Sequence, residues 1–503
     1  MTLIIDFRGC GIMGLFNKVL VANRGEIACR VIRTLRRLGI ASVAVYHDED
    51  RKAPHVGLAV EAVRLEGKVP SGAYLDSRQI IAAAQTAGAT AIHPGYGFLS
   101  ENAGFAEAVA AAGLIFVGPH AEVIRLMGDK IRSRDFAAAH GVPVAPSVTE
   151  DDAGAAFVAE AAAIGFPLLI KASAGGGGKG MKIVRRAEEL AENIALAKGE
   201  AGRYFGDPRV FAERLVEQPR HIEVQVLGDG KGNVIHLFER ECSIQRRYQK
   251  IIEEAPAPNL SEELRDRICA AAVRLAGAAR YLNAGTVEFI LGGDGAFYFL
   301  EMNTRLQVEH PVTEMITGFD LVEAQLRIAA GEGIGRAQTD VRIQGHAIEC
   351  RICAEEPDHG FRPATGRIGL LAKPVGEGIR FDGGIVAPQA VTPAFDSMLA
   401  KLIAWGETRE IALGRLDRAL AETAVMGVPT NLDYLLRVAR HPMFRAGTLD
   451  TGFLERFAAD LASPDDDTTA IAAIFAAALG DPVFRDLAFG VPEPYASIGG
   501  WRN

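Results

Sequence analysis

A pair of glutamates within an apolar hairpin is the strongest candidate metal site in this chain. Residues 286–303 form two apolar runs joined by the turn-forming segment Gly292–Gly295, so they predict two antiparallel strands. Glu288 lies on the first strand, and Glu301 and Asn303 lie on the second. Carboxylates on one face can bind a hard cation from both sides, and Mg²⁺ combines few protein oxygens with substrate phosphates. The pattern therefore predicts a magnesium site that also receives phosphate.

The pairing register of this hairpin decides how close the two carboxylates come. If Leu291 pairs with Ala296, Glu288 lies opposite Phe299 and is a diagonal neighbour of Glu301, with backbones roughly 7–8 Å apart. A bulge would change this register. The alternative, two solvated glutamates at a sheet edge, is disfavoured by their Phe, Leu, Ile and Met neighbours.

Three polar residues alternate directly after the hairpin. Arg305, Gln307 and Glu309 are separated by single residues, so in an extended strand their side chains project in one direction. A cation, an amide and a carboxylate that converge can hold a small oxyanion and remove its proton. The alternative is a strand of surface salt bridges. A further cluster, residues 239–250, carries too many cations to be an ordinary solvated face.

A glycine-rich loop follows a strand predicted over Phe166–Lys171. The loop, residues 174–180, contains four consecutive glycines, which let backbone N–H groups approach an anion closely, and Lys171 and Lys179 flank them. Gly180 occupies the position where a Walker A loop needs Ser or Thr, so the loop is not a Walker A motif. A phosphate-binding loop and a mobile surface loop are both open interpretations.

The overall composition is that of a globular protein, with 49% hydrophobic and 23% charged residues. The formal charge of −9 argues against a nucleic-acid partner, which needs concentrated Lys and Arg. No apolar stretch approaches the roughly 18–20 residues that span a bilayer, and Asp6 and Arg8 interrupt any secretory signal. We therefore expect a cytoplasmic protein without membrane association. Residues 1–12 are either an extension before Met13 or the result of an upstream start mistaken for the real one.

Alternating strand and helix patterns position these residues. Strand Lys18–Asn23, helix Gly25–Leu38 and strand Ala41–Tyr46 begin a parallel α/β domain that extends to about residue 128. The first turn holds a single glycine and fails the dinucleotide-binding fingerprint, so a Rossmann-like shape here does not imply NAD. From Val216 onward, alternation typical of antiparallel strands predicts a mixed sheet.

Five segments, in this order along the chain, resemble the biotin carboxylase family. They are Val21–Ala28, His93–Asn102, Met127–Lys130, Glu301–Arg305 and Gln307–Glu314. The segments are long and nearly identical to the family's motifs. The resemblance extends over most of the chain, from about residue 16 to residue 456.

The resemblance implies a fold of α/β and α+β domains. An N-terminal Rossmann-like domain would occupy 16–128, and an ATP-grasp domain would occupy 129–340 with a mobile lid at about 145–215. A biotin carboxylase C-terminal domain would occupy 341–455. The remaining residues, 456–503, form a weakly patterned tail.

The resemblance also implies a nucleotide site. The phosphates of ATP would be contacted by Lys130, Lys171, Gly177 and Gly178. The adenine pocket would be lined by Glu213, Arg214, Leu215 and Val216, and the site would be completed by His221, Gln245 and Tyr248. The family usually carries His where this chain has Tyr248, and Tyr cannot become cationic near neutral pH. Glu288, Glu301 and Asn303 would hold the divalent metal, which would be Mg²⁺ or Mn²⁺. Two metal ions are expected in all.

The implied reaction is the ATP-dependent carboxylation of biotin through carboxyphosphate. Bicarbonate would be bound by Lys250, Arg305, Gln307 and Val308. Glu309 would be the base that deprotonates it, and Arg351 would stabilise negative charge on the biotin ureido oxygen. Closure of the glycine-rich lid would keep water from carboxyphosphate.

Biotin itself is expected on another polypeptide, because the Ala-Met-Lys-Met sequence of acceptor domains is missing and only Met181–Lys182 comes near it. The implied partners are a biotin carboxyl carrier protein and the carboxyltransferase subunits of an acetyl-CoA or other acyl-CoA carboxylase, as in fatty acid biosynthesis. The resemblance also implies a homodimer with a second copy of this chain. The alternatives are another carboxyphosphate-forming ATP-grasp ligase, which would continue into a second ATP-grasp copy, and an inactive scaffold paralogue, which should lack the charged site residues.

Overall fold

The computed structural model of the protein describes residues 16–150, 156–173 and 181–463. The residues through Ala458 belong to one compact unit, and a second unit, Ala459–Asn503, is described only as far as residue 463. The predicted extension at residues 1–12, the glycine-rich loop with Gly177 and Gly178, and most of the tail lie outside the described residues. No described helix is long and apolar enough to cross a membrane.

The N-terminal part is the parallel α/β domain that the sequence predicts. Its sheet has the order β3-β2-β1-β4-β5, and all its described pairings are parallel. The strands are β1 Lys18–Val21, β2 Ala41–Tyr46, β3 Glu61–Arg64, β4 Ala91–His93 and β5 Ile115–Phe116. The helices are α1 Gly25–Arg37, α2 Pro54–Leu58, α3 Pro70–Ala73, α4 Ser77–Thr86, α5 Ala103–Ala111 and α6 Ala121–Met127. Gly25, at φ +61°, permits the sharp turn from β1 into α1, whose face of Ile27, Val31 and Leu35 is buried.

A small second module follows α7, Lys130–Ala139. Its four-stranded antiparallel sheet has the order β6-β9-β7-β8 and its own apolar core. The strands are β6 Ser147–Thr149, β7 Leu168–Ala172, β8 Lys182–Val184 and β9 Val210–Arg214, and the helices are α8 Phe157–Ile164 and α9 Leu190–Phe205. The first and last strands pair, with Ser147 opposite Glu213, so the chain enters and leaves the module side by side.

An eight-stranded sheet of order β14-β13-β10-β11-β12-β15-β22-β20 forms the centre of the molecule. Its strands are β10 Arg220–Asp229, β11 Val234–Arg246, β12 Gln249–Ala255, β13 Leu282–Leu291, β14 Phe297–Asn303, β15 His346–Cys353, β20 Ile379–Gly383 and β22 Met398–Gly406. The sequence predicted a mixed sheet here, whereas every described pairing is antiparallel. The pairing of β12 with β15 continues this sheet from the predicted ATP-grasp residues into the predicted C-terminal residues.

Helices and three short strand pairs cover this sheet. The helices are α10 Glu262–Ala278, α11 His310–Thr317, α12 Leu321–Ala329, α13 Arg409–Glu422, α14 Leu432–Arg440, α15 Pro442–Arg445 and α16 Phe453–Arg456. The strand pairs are β16 Glu355–Glu356 with β17 Arg362–Pro363, β18 Gly366–Ile368 with β21 Gln389–Val391, and β19 Leu370–Ala372 with β23 Ala424–Met426. The apolar face of α10 packs on β10 and β11, where Ile268 and Leu275 are fully buried.

The register predicted for the β13–β14 hairpin is wrong. Leu291 pairs with Phe297, because the connection has five residues and closes through a hydrogen bond from the Gly292 N–H to the Ala296 carbonyl (2.8 Å). A bulge then shifts the register, so that Glu288 lies directly opposite Glu301 and not opposite Phe299. The two carboxylates are therefore closer neighbours than the sequence argument placed them.

His93, at the end of β4, gives the fold a pH dependence that can be measured. The Gly95 N–H donates to His93 Nδ1 (3.0 Å), so the ring proton lies on Nε2, 3.1 Å from Gln325 Oε1. Burial lowers the pKa of His93 from 6.5 to about 4, although the contact with Gln325 opposes this shift. Between pH 6.5 and about 4, His93 is therefore protonated in the unfolded chain but neutral in the folded chain. The free energy of unfolding consequently falls as the pH falls through this range.

We expect His93→Gln to weaken this acid sensitivity. The wild-type protein should lose on the order of 3 kcal/mol at this one residue between the two pKa values. The midpoint temperature of unfolding should therefore drop less steeply with acidification in the variant than in the wild type. His359→Gln replaces an exposed histidine and is the control. Parallel midpoint curves for His93→Gln and wild type would contradict the assignment.

Candidate active site

A cavity of about 1870 Å³ opens between the eight-stranded sheet, the small module and the first turn of α1. Pockets for one small ligand are commonly about 300–1000 Å³, so this one has room for a nucleotide and a second ligand. Every predicted site residue that the structure describes lines it: Lys130, Lys171, Glu213, Arg214, Leu215, Val216, His221, Gln245, Tyr248, Lys250, Glu288, Glu301, Asn303, Arg305, Gln307, Val308, Glu309 and Arg351.

Glu288 and Glu301 face each other across β13 and β14 and form the centre of a carboxylate donor set. Asn303 Nδ2 donates to Glu288 Oε1 at 2.8 Å, and Lys130 Nζ lies 3.7 Å from Glu301 Oε2. Glu288 is buried, whereas about a third of the Glu301 side chain (34%) is exposed. The Asn303 oxygen accepts from Arg305 Nη2 (2.9 Å), so it is the two opposed carboxylates that suit a hard divalent cation.

Lys250, on β12, links Glu288 of the metal site to Glu309. Its Nζ donates to Glu223 (2.5 Å), Glu288 (2.9 Å) and Glu309 (2.8 Å). Glu223 is fully buried and also accepts from Arg240 Nε at 2.5 Å. Charge-assisted hydrogen bonds of this kind are about twice as strong as neutral ones, so one lysine fixes three carboxylates.

The charges around Lys250 keep Glu309 ionised. Burial alone would raise the pKa of Glu309, but Lys250 and Arg351 outweigh it and hold this pKa well below its ordinary value. The pKa of Glu288 is likewise lowered, because Lys250 and His221 outweigh burial. Burial disfavours the charge of Lys250, yet its carboxylates raise the Lys250 pKa well above the ordinary value. At neutral pH, Glu309 is a carboxylate beside two cations.

Arg305, Gln307 and Glu309 converge through a turn and not through the strand that the sequence predicted. Helix α11 begins at His310 with Pro311 in its first turn, so the preceding chain bends before it and cannot continue as a strand. Arg305 Nη1 donates to Gln307 Oε1 (2.7 Å), and Gln307 Nε2 donates to Glu288 Oε1 (2.8 Å). The three side chains therefore still line one part of the cavity, as the alternation suggested.

The opposite wall of the cavity carries the residues predicted for the nucleotide. Lys171 on β7 forms an ion pair with Glu213 on β9, and Arg214, Leu215 and Val216 follow. On the sheet side, Gln245 Nε2 donates to His221 Nδ1 at 2.8 Å. A glutamine amide nitrogen can only donate, so the ring proton of His221 lies on Nε2, which is 2.8 Å from Glu288 Oε2.

Tyr248 lies in the two-residue turn between β11 and β12. Both turn residues have positive φ, +48° for Arg247 and +66° for Tyr248, which is unusual without glycine. The Tyr248 side chain is 56% exposed and lies at the boundary of the cavity. The residue in the position where histidine is usual is therefore on a turn, away from the buried charges.

Arg351 reaches the same centre from β15. Its Nε donates to Glu253 Oε1 (2.6 Å), and its Nη2 donates to Glu309 Oε2 (2.9 Å). Lys401 on β22, opposite Arg351, donates to the Val308 carbonyl at 2.6 Å. The C-terminal strands thus fix both the side chain of Glu309 and the backbone next to it.

Family models match three consecutive parts of the chain. Residues 15–124 match the biotin carboxylase N-terminal domain, residues 129–336 match the ATP-binding domain of the carbamoyl-phosphate synthase L chain, and residues 349–456 match the biotin carboxylase C-terminal domain. A biotin carboxylase of Nostoc sp. is 49% identical over 444 residues, which are 88% of this chain and 99% of that protein.

The chain belongs to the biotin carboxylase family. Relatives within the family include longer proteins: the mitochondrial methylcrotonoyl-CoA carboxylase subunit alpha of Mus musculus is 49% identical over 93% of this chain, but the match covers 65% of that subunit. Among solved structures, the biotin carboxylase domain dimer of the Hydrogenobacter thermophilus 2-oxoglutarate carboxylase, in complex with MgADP, ADP and bicarbonate, has a TM-score of 0.86 and 47% identity. The match covers 90% of this chain and 100% of that one.

This member of the biotin carboxylase family contains buried charges that the sequence argument missed. They are Glu223, Arg240, Glu253 and Lys401, and the exposed Glu101 was missed as well. Glu223 follows His221 by two residues on an alternating strand, so the shared face could have identified it. The partners of Arg305 and Arg351, Glu101 (2.8 Å) and Glu253, are distant in sequence, and no local pattern pairs them.

Removing Arg240 should destabilise the whole molecule. Its side chain is fully buried between Glu223, Gln225, Thr313 and Thr286. Breaking a buried pair by deleting one partner typically costs about 3–5 kcal/mol, because the remaining charge is uncompensated. Arg240→Met should therefore lower the midpoint temperature of unfolding markedly. Arg186→Met removes an exposed arginine that pairs with Glu189 and should change nothing. Equal midpoints for both variants would show that the buried pair is dispensable.

Proposed function

We propose that this protein carboxylates biotin, presented by a carrier, with ATP and bicarbonate. The observation that carries the proposal is the convergence on Lys250 of a metal-competent carboxylate pair, an ionised Glu309 and, through Glu309, Arg351. A phosphate donor, a proton acceptor and a cation for a developing oxyanion are therefore neighbours in one cavity. Family membership supports the same reaction.

The nucleotide would bind between the small module and the large sheet. We assign its phosphates to Lys130, Lys171 and the glycine-rich loop, and its base to the wall formed by residues 213–216, His221, Gln245 and Tyr248. The donor set fits a divalent metal, because Glu288 and Glu301 present carboxylate oxygens from two paired strands, and Asn303 lies beside them as the third residue that we assign to the metal. Mg²⁺ or Mn²⁺ held there would neutralise charge on the transferring phosphoryl group.

Bicarbonate would lie against Lys250, Arg305, Gln307 and the Val308 backbone. Glu309, held ionised by its two cations, would accept the bicarbonate proton as the bicarbonate oxygen attacks the γ-phosphorus of ATP. The products of this step are carboxyphosphate and ADP. Lys250 is already hydrogen-bonded to the base, so its charge is in place before the reaction and requires no reorganisation.

Biotin would approach Arg351. Carboxyphosphate releases CO₂ and phosphate, and the phosphate would take the proton from biotin N1. Negative charge then develops on the ureido oxygen, which the Arg351 guanidinium would stabilise, and N1 would attack the carbon of CO₂ to form carboxybiotin. The small module would cover the cavity during these steps and exclude water, which hydrolyses carboxyphosphate.

The partners follow from the reaction. We infer a biotin-bearing carrier and a carboxyltransferase, because a carboxyl group placed on biotin must be passed to an acceptor. The relatives act in proteins named for acceptors as different as methylcrotonoyl-CoA and 2-oxoglutarate, so the activity shared with them is biotin carboxylation itself. A homodimer is the oligomeric state we propose, since the similar 2-oxoglutarate carboxylase domain is a dimer.

The carboxylate pair can be tested by charge removal. Glu288→Gln and Glu301→Gln should each abolish bicarbonate-dependent ATP cleavage at ordinary magnesium concentrations, because the metal loses a charged ligand. Glu107→Gln alters an exposed glutamate that pairs with Arg125 and should retain the full rate. If either site variant cleaved ATP at the wild-type rate, the assignment of Glu288 and Glu301 to the metal would be wrong.

The two chemical stages can be separated by comparing Glu309→Gln with Arg351→Ala. Glu309→Gln removes the base and should suppress both bicarbonate-dependent ATP cleavage and biotin carboxylation, by about 10²–10⁴-fold. In Arg351→Ala, Lys250 still holds Glu309 ionised, so ATP cleavage without biotin should survive. Carboxybiotin formation should fall steeply, since an oxyanion contact is worth on the order of 3 kcal/mol.

Both activities are measured in the same preparations, with free biotin present or omitted. If the two variants lost both activities in equal proportion, the division of roles would be wrong. Arg351 would then be an ion-pair residue that joins β15 to the rest of the sheet.

A further inference from the structure

Two buried glutamates that the proposed reaction does not use lie beside Arg351. Glu253 on β12 and Glu349 on β15 are directly opposite each other in the antiparallel pairing. Neither side chain is exposed to solvent (0% for both). Directly opposed residues have Cβ atoms about 4.5–5.5 Å apart, so the two carboxyl groups are within reach of each other.

Three of the four oxygens of these two carboxyl groups lack a hydrogen-bond donor among the described residues. Glu253 Oε1 accepts from Arg351 Nε, but Glu253 Oε2 and both oxygens of Glu349 have no hydrogen-bond partner among the residues that the structure describes. A buried carboxylate without a donor loses its hydration with nothing in exchange, which is among the most costly arrangements in a protein interior. Two such charges facing each other would add direct repulsion.

The surrounding cations form no hydrogen bond with Glu349. Lys401, on the strand paired to the other side of β15, donates to the Val308 carbonyl and lies 3.4 Å from Glu26 Oε1. Arg351 donates to Glu253 and Glu309. Other ionisable groups near Glu349, Glu253 and Lys401 include Glu26, Tyr96, Asp382, Cys350, Lys250 and Glu309. Acids therefore outnumber free donors around Glu349.

We propose that Glu349 is a neutral carboxylic acid whose O–H donates to the free oxygen of Glu253, and that this shared proton positions Arg351 for biotin. The inference rests on the proposed function, which assigns Arg351 to biotin. In this arrangement one proton satisfies the facing oxygens of both groups. Glu253 keeps its charge for Arg351, and Glu349 contributes none. Glu349 is thus a positioning residue that acts through Glu253.

The electrostatic environment agrees with this geometry. Burial raises the pKa of Glu349 well above its ordinary value, and Lys401 lowers it only in part. Burial also raises the pKa of Glu253, to about 7, although Arg351 opposes the shift. Both shifts have the direction expected of a pair that binds one more proton than two separate carboxylates would at neutral pH.

The shared proton controls the balance of charge around Arg351. The guanidinium bridges Glu253 on the sheet and Glu309 at the cavity. If Glu349 ionised, a second negative charge on the sheet side would attract the guanidinium away from Glu309 and from the cavity. Rising pH removes the proton, so biotin carboxylation should decline on the alkaline side, while ATP cleavage without biotin should not share this decline.

Infrared spectroscopy tests the proton directly and does not depend on activity. The wild-type minus Glu349→Gln difference spectrum of the intact protein at neutral pH should contain the C=O stretch of a protonated carboxylic acid, shifted in D₂O. Glu349→Asp, which keeps a carboxylic acid with a shorter reach, supplies a second difference spectrum and should move this band. Absence of a protonated-carboxyl band in both spectra overturns the inference, whatever the enzyme does with biotin.

Kinetics test the positioning role. Glu349→Gln keeps a neutral donor, so kcat/KM for biotin at neutral pH should stay within about threefold of wild type, and the alkaline decline should disappear or move to higher pH. Glu253→Gln removes the anchor of Arg351 and should lower kcat/KM for biotin by about tenfold or more, with ATP cleavage without biotin retained. Glu263→Gln, on the exposed start of α10, is the matched control.

The outcomes separate the inference from the proposed function. An alkaline decline that is identical in wild type and Glu349→Gln, or equal losses of both activities in Glu253→Gln, would overturn the positioning role. If the infrared band is present but the wild-type protein does not carboxylate biotin, the proton is real and the proposed function has failed.

Discussion

Lys250 is a largely buried cation, with 12% of its side chain exposed, and three glutamates surround it. Its ammonium group donates to Glu223, Glu288 and Glu309, which come from three separate segments of the chain. A charge removed from water has to be paired, and it stays in place only if each partner is held in turn. The pairing of β10 with β13, which sets Glu223 opposite Glu288, and the bend before α11, which brings in Glu309, are therefore geometric requirements, because they bring the carboxylates to the same nitrogen.

The central sheet makes this charge cluster continuous with the C-terminal strands. β12 carries Lys250 and Glu253, and β15, its neighbour, carries Glu349 and Arg351. The residues assigned to phosphate chemistry and those assigned to biotin thus belong to adjacent strands and are linked through Glu309. A change of charge on one side is transmitted over a few ångströms by hydrogen bonds, without movement of whole domains.

Local patterns in the sequence predicted the elements well, and non-local contacts could not be predicted. The first strands and helix of the parallel domain lie within one or two residues of their expected bounds, because apolar periodicity and turn residues are local signals. The Glu288–Glu301 pair was identified but misplaced, since a bulge at Leu300 is not encoded in the alternation. The role of Lys401 at Val308, 93 residues away, depends on packing that no sequence window contains.

The small module between β6 and β9 is, in topological terms, an insertion. Its two chain connections run side by side, with Ser147 opposite Glu213 and the Arg214 N–H bonded to the Pro146 carbonyl (2.8 Å), and its apolar core is its own. Paired chain ends about 5 Å apart could be joined by a very short linker. The small module, which lines one side of the cavity, and the eight-stranded sheet, which carries the charged site residues, are therefore separable parts. Evolution or protein engineering can exchange the module while the sheet keeps its strand order.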